Sequence, residues 1–169
     1  MATKNSIVMR QGQAQRVELE KVPAAVFYPG HMLELTSADK FQKHSAAGGS
    51  VAPVMFALED ENQGNNIDVA FATTGRAVAW VPQRGDWVLA VLIDDGTAVV
   101  IGDKLEAAGA GMVQKHVSDV HDSDTGGTIY DKQIVGIAME ALDLSDSSGG
   151  ETANGFDGTY SQRLWIMVV

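Results

Sequence analysis

Residues 84–117 read RGDWVLAVLIDDGTAVVIGDKLEAAGAGMVQKHV, and glycines at 85, 96, 102, 109 and 111 cut them into runs too short for a helix to bury a face. Residues 87–93 are apolar throughout and of strand length. Asp94-Asp95-Gly96 then turns the chain, because Asp-Gly tolerates the positive φ angles of tight hairpins. Residues 97–101 return as a β-branched strand. Gly102-Asp103 punctuates again, residues 104–107 are short and extended, and Gly109-Ala110-Gly111 makes another turn. Gly85-Asp86 leads one strand as Gly102-Asp103 leads another. The stretch predicts a β-meander that builds a rigid surface rather than a reactive centre.

The rest of the chain repeats the pattern. Residues 17–20 alternate weakly, as an edge strand does. Residues 24–28 are apolar and stop at Pro29-Gly30. Residues 31–36 and 41–44 predict a hairpin with its tip at Asp39-Lys40. Residues 51–58 form a strand that Pro53 restricts to an edge or a bulge. Residues 68–73 and 76–81 flank Thr74-Gly75 as a second hairpin, and 134–144 and 163–169 supply the last apolar segments. No stretch keeps helical periodicity behind a capping signature. The fold class is therefore all-β: a small antiparallel β-barrel or sandwich, SH3-like or related. Residues 21–169 are one domain carrying two long Gly-, Ser- and Asp-rich loops, 117–132 and 145–162. Residues 1–20, polar and aperiodic in their first sixteen positions, are expected to be an extended N-terminal arm that orders on contact.

Segments 87–93, 134–139 and 164–169 are apolar at odd and even positions alike. An antiparallel strand with one wet face should alternate. Both faces of these strands need cover, which points to a tight homo-oligomer.

Charge narrows the partners. The net charge is −10, with four basic and two acidic residues up to Lys21, but six basic and eighteen acidic from Val51 onward. Such a body repels phosphate backbones, so nucleic acid is not an expected partner. No run nears the roughly 18 apolar residues of a membrane span, and none is expected. Cysteine is absent and the first sixteen residues have no apolar signal-peptide core, which suits synthesis in the cytoplasm.

Chemical motifs fail one by one. Gly109-Ala110-Gly111 has Gln114 where a dinucleotide fingerprint needs its third glycine. His31, His44, His116 and His121 form no metal-binding pair. A calcium loop begun at Asp122 would need a carboxylate where Gln133 stands. Arg84-Gly85-Asp86 spells an adhesion tripeptide but sits where a strand-leading turn belongs. Residues 102–107 look like the hairpin of biotinyl carrier domains without the tip lysine. No catalytic, metal or cofactor residue is assigned, and the chain is expected not to be an enzyme.

A series of segments in order carries a resemblance. They are Pro29-Gly30-His31-Met32-Leu33-Glu34-Leu35; a Gly-Gly loop leading into Val51-Ala52-Pro53-Val54-Met55-Phe56-Ala57-Leu58-Glu59; Thr74-Gly75-Arg76-Ala77-Val78; Arg84-Gly85-Asp86-Trp87-Val88; Ile101-Gly102-Asp103-Lys104-Leu105; Ile134-Val135-Gly136-Ile137-Ala138-Met139-Glu140-Ala141; and Arg163-Leu164-Trp165-Ile166-Met167-Val168-Val169. Over residues 24–169 the chain resembles the capsid cement, or decoration, proteins of tailed bacteriophages, of the small β-barrel type. The two long loops depart from that pattern.

The resemblance implies a structural virion protein made in the bacterial cytoplasm and held on the outer capsid surface. It implies binding to the major capsid protein of an assembled head, stabilisation of contacts between capsomers, and self-assembly as trimers or similar rings. Lys4, Arg10, Gln13 and Arg16 are then candidates for a capsid-binding arm. Trp80, Trp87 and Trp165 are candidates for subunit contacts, since tryptophan is enriched at interface hot spots. The alternative is a carbohydrate- or receptor-binding module displayed on a phage particle, with the two long loops as its site.

Overall fold

A computed structural model describes residues 8–11, 17–49, 51–60, 65–118, 132–145 and 162–169. These form thirteen strands and no α-helix: β1 (Met9–Gln11), β2 (Val17–Lys21), β3 (Met32–Leu35), β4 (Phe41–Lys43), β5 (Met55–Ala57), β6 (Ala77–Val81), β7 (Trp87–Val91), β8 (Ala98–Val99), β9 (Lys104–Gly109), β10 (Met112–Lys115), β11 (Ile134–Ala138), β12 (Leu142–Asp143) and β13 (Arg163–Val168). Most of the two long loops lies outside the described residues.

Two antiparallel sheets carry the fold. One has the order β1-β7-β13-β11-β9-β10 and the other β2-β6-β5-β3-β4, while β8 pairs with β12 alone. Each large sheet curls until it meets itself. Ile93 N donates to Val113 O at 2.9 Å beside a parallel bridge between Leu92 and Val113. In the second sheet Phe41 N donates to Val22 O at 3.1 Å beside a parallel bridge between Pro23 and Phe41. The parallel seams have a simple cause. Directions alternate around an antiparallel ring, so a ring of five strands must close on one like-directed pair.

The order of strands corrects the meander expectation. β8 does not return along β7, whose neighbours are β1 and the last strand, β13. Residues 68–73 do not mirror β6 either; Phe71 makes only a bridge to Phe27, and β6 lies between β2 and β5. The hairpins at β3–β4 and β9–β10 do form, the first around Asp39 at φ 58° and the second around Ala110 and Gly111 at 50° and 75°. β5 starts only after Pro53, whose ring can donate nothing to a ladder.

Packing explains the two-faced strands. Met32, Phe56 and Trp80, opposed across β3, β5 and β6, join Val88, Leu89, Leu164 and Ile166 in one core. The other face of the second sheet closes a smaller core of Leu33, Phe41, Met55 and Ala79 around Phe27 and Phe71, whose rings lie 5.5 Å apart. Val88, Leu89, Ala90 and Val91 are all at 0% exposure. The chain itself therefore covers both faces of β7, which the sequence reading assigned to a sister subunit. Gly30 makes the close approach possible. Its N–H donates to Ala57 O, its carbonyl accepts from Val91 N, and a Cβ there would stand 2.7 Å from Leu89 O.

Candidate interaction surface

The described residues of the expected N-terminal arm, 8–11 and 17–20, belong to the body of the fold. β1 pairs with β7, β2 pairs with β6, and Val8 is fully buried in the main core. Residues 17–20 thus do form the strand that their alternation predicts. Arg10 lies in β1, while Lys4, Gln13 and Arg16 lie outside the described residues. Of the tryptophans, Trp80 is 1% exposed in the layer between the sheets and has no surface to offer a partner. Trp87 and Trp165 are half-buried on one face of the first sheet. Trp87 stands opposite Met167, which stands opposite Ile137, so a half-exposed apolar row crosses β7, β13 and β11.

The two Gly-Asp devices are the same structure. In residues 83–86, Asp86 Oδ2 accepts from Gln83 N at 2.7 Å, Asp86 N donates to Gln83 O at 3.0 Å, and Gly85 N donates to Val168 O at 2.9 Å. In residues 100–103, Asp103 Oδ2 accepts from Val100 N at 2.9 Å, Asp103 N donates to Val100 O at 3.1 Å, and Gly102 N donates to Ala138 O at 2.9 Å. Gly85 and Gly102 have φ 95° and 91°, as the third position of a type II turn requires. Asp86 O and Asp103 O each accept from the adjoining strand, from Val168 N and Ala138 N. The Lys115 ammonium, 2.8 Å from Asp103, together with the Val100 amide, holds the Asp103 carboxyl below the usual carboxylate range. The outer residues differ. Gln83 and Arg84 are polar, whereas Val100 and Ile101 are aliphatic and yet 54% and 68% exposed.

A cleft of about 280 Å³ opens beside β3, between it and residues 51–55. Leu33, Leu35, Val51, Pro53 and Met55 give it apolar walls, and Glu34 and His44 give it polarity. Burial alone would raise the Glu34 carboxyl, but hydrogen bonds from Gln42 and Ser45 outweigh it and leave the group below its ordinary value. The carboxylate is thus a negative charge held in place at the edge of the cleft.

Two internal ionic clusters hold the frame. Glu106 on β9, its side chain 1% exposed, accepts from Gln114 Nε2 at 2.7 Å. It lies 2.5 Å from His116 Nδ1 and 3.8 Å from Lys132 Nζ. This cluster ties together the two ends of the chain from which residues 119–131 depart. Arg163, buried on β13, donates to Asp68 Oδ1 at 3.3 Å, to Pro29 O at 3.3 Å and to Ile67 O. His31 lies fully inside, with Nδ1 3.2 Å from Tyr28 N and 3.0 Å from Tyr28 O; burial pushes its imidazole down to about 3. Among the described residues no group of three or more His, Asp or Glu converges to hold a metal ion.

No protein-family model and no curated protein sequence matches the chain. The sequence reading passed over Val100, Ile101, Glu34 and Leu35 as surface residues. One signal was available for the first two: aliphatic residues in the outer corner of a Gly-Asp turn whose twin carries Gln-Arg.

Proposed function

We propose that the chain is a structural, non-catalytic virion protein that binds the outer surface of an assembled tailed-phage head and stabilises contacts between capsomers. It acts there as a homo-oligomer, trimeric or a similar ring, on the major capsid protein. The observation that carries the reading is how the chain spends its side chains. The buried ionisable groups are used for bracing, Asp86 and Arg163 on backbone and Glu106 on the Gln114, His116 and Lys132 side chains, while aliphatic residues stand at a braced turn tip. A clamp needs that division: a rigid body, and contacts that act together by effective concentration. The ordered series of segments from Pro29 to Val169 and the two small strand rings support the decoration-protein type. The test is co-sedimentation with expanded, undecorated heads, followed by imaging of intact particles. Saturable binding and density on the outer surface are expected; no binding and no density would reject the reading. A second reading, a sugar- or receptor-binding module, is favoured by the half-exposed rings of Trp87 and Trp165. Glycan-array binding abolished by Trp165→Ala would replace the first reading with it.

A further inference from the structure

The twin turns provide an internal comparison. Both close through the same two hydrogen bonds, and both are pinned to a neighbouring strand by the glycine N–H. One of them tolerates Gln83 and Arg84 at its outer corner, so closure does not require aliphatic residues at Val100 and Ile101. Their presence at 54% and 68% exposure has another cause. Val117, 67% exposed, follows His116, whose N donates to Lys104 O at 2.8 Å. The result is a rigid apolar tip with the exposed Lys104 three residues after Ile101. The cleft beside β3 has the opposite character. It is concave and of mixed lining, with Leu33, Leu35, Val51, Pro53 and Met55 beside the polar Glu34 and His44, and it opens to solvent at Leu35, Ala52 and Pro53.

We propose that a second copy of this chain covers the tip, seating Val100 and Ile101 in its own cleft between β3 and residues 51–55, with Lys104 meeting Glu34. Three observations select a second copy over any other occupant. The knob and a hole large enough for two aliphatic side chains occur on one molecule. Their flanking charges are opposite, although the chain as a whole, at −10, would otherwise repel itself. Both parts are also preorganised, the tip by Asp103 and the Glu34 carboxylate by Gln42 and Ser45, so little order is lost on docking. Tip and cleft are different patches, so the contact is heterologous: it runs head to tail and either closes a ring or continues as a filament. This deepens the self-assembly part of the proposed function and rests on it, but not on what the shell is.

Size-exclusion with light scattering tests it on the full chain, using wild type, Ile101→Asp, Leu35→Asp and an equimolar mixture of the two variants. Both positions are exposed, and circular dichroism checks that each variant is folded; Ile101→Gln is the milder replacement. Wild type is expected at a multiple of the single-chain mass and each variant at the single-chain mass. The mixture is expected to give two-chain species and nothing larger, because one intact tip and one intact cleft remain. Single-chain wild type, a variant that keeps the multiple mass, or a mixture that stays single-chain would each overturn the proposal. Co-sedimentation with heads separates the two readings. A single-chain wild type that still binds heads removes this contact and leaves the shell reading. An oligomer that binds no heads does the reverse.

Discussion

At the scale of single residues, the side chains at the junction of the sheets are the most sensitive. Arg163→Met should lower stability by about 2–4 kcal/mol in urea titrations, because the Pro29 and Ile67 carbonyls lose a buried donor. Asp68→Asn should cost under about 1 kcal/mol, since that side chain is 43% exposed and Asn keeps the Oδ1 acceptor for Arg163. An equal loss in both variants would remove Arg163 from its bracing role. Gly30→Ala should cost well over about 2 kcal/mol, adding the Leu89 clash to left-handed strain, while Gly85→Ala, with open space around its Cβ, should cost only the strain of about 1–2 kcal/mol. His31 gives a pH signature. Its folded value near 3 lies below the ordinary 6.5, so the unfolded chain binds the extra proton between those values. Its contribution is intact above pH 6.5 and declines as pH falls toward 3, by up to about 1.4 kcal/mol per unit. A ring found neutral by NMR at pH 5 is the expected result; a charged ring there would refute it.

At the scale of elements, the twin turns matter most. Asp86→Ala and Asp103→Ala each remove the carboxylate that satisfies a turn amide, and each should cost about 1–2 kcal/mol in denaturant titrations. Asp103→Ala should also loosen the tip and weaken self-association, which Asp86→Ala should leave unchanged. If both variants self-associate like wild type, tip rigidity does not matter. The sequence displayed these turns openly, because Gly-Asp before a β-branched run has one economical conformation. It misled about strand partners. Thr97 to Ile101 looked like the return of a hairpin, yet only Ala98–Val99 is a strand, β8, which pairs with Leu142–Asp143 of β12, and β7 takes the C-terminal strand. Local pattern fixes that a segment is extended; which strand lies beside it depends on what else must be buried.

At the scale of the whole molecule, one core spans both sheets, so the two rings should not unfold independently. Tryptophan fluorescence and far-ultraviolet circular dichroism should report one coincident transition. Two separated transitions would mean that the shared layer of Met32, Phe56, Trp80 and Leu89 does not couple them. Deleting residues 2–16 should lower the unfolding free energy by about 2–4 kcal/mol, because it removes the buried Val8 and the β1 ladder. A deletion that left stability untouched would restore the picture of a detached arm. It also follows that loss of head binding in that deletion would not by itself identify an arm contact.

The sequence alone determined that the chain is all-β, where it turns, and that segments 87–93, 134–139 and 164–169 are apolar on both faces, since glycine spacing and unbroken apolar runs are local properties. Tertiary structure decided how those greasy strands are covered, because burial is satisfied by any apolar surface and the chain's own second sheet was near enough to supply it. Tertiary structure also brought Glu106 to His116 and Lys132, and set Arg163 beneath Pro29 and Ile67. Such pairings join positions up to 134 residues apart. No periodicity encodes them; only the closing of the two rings makes them neighbours.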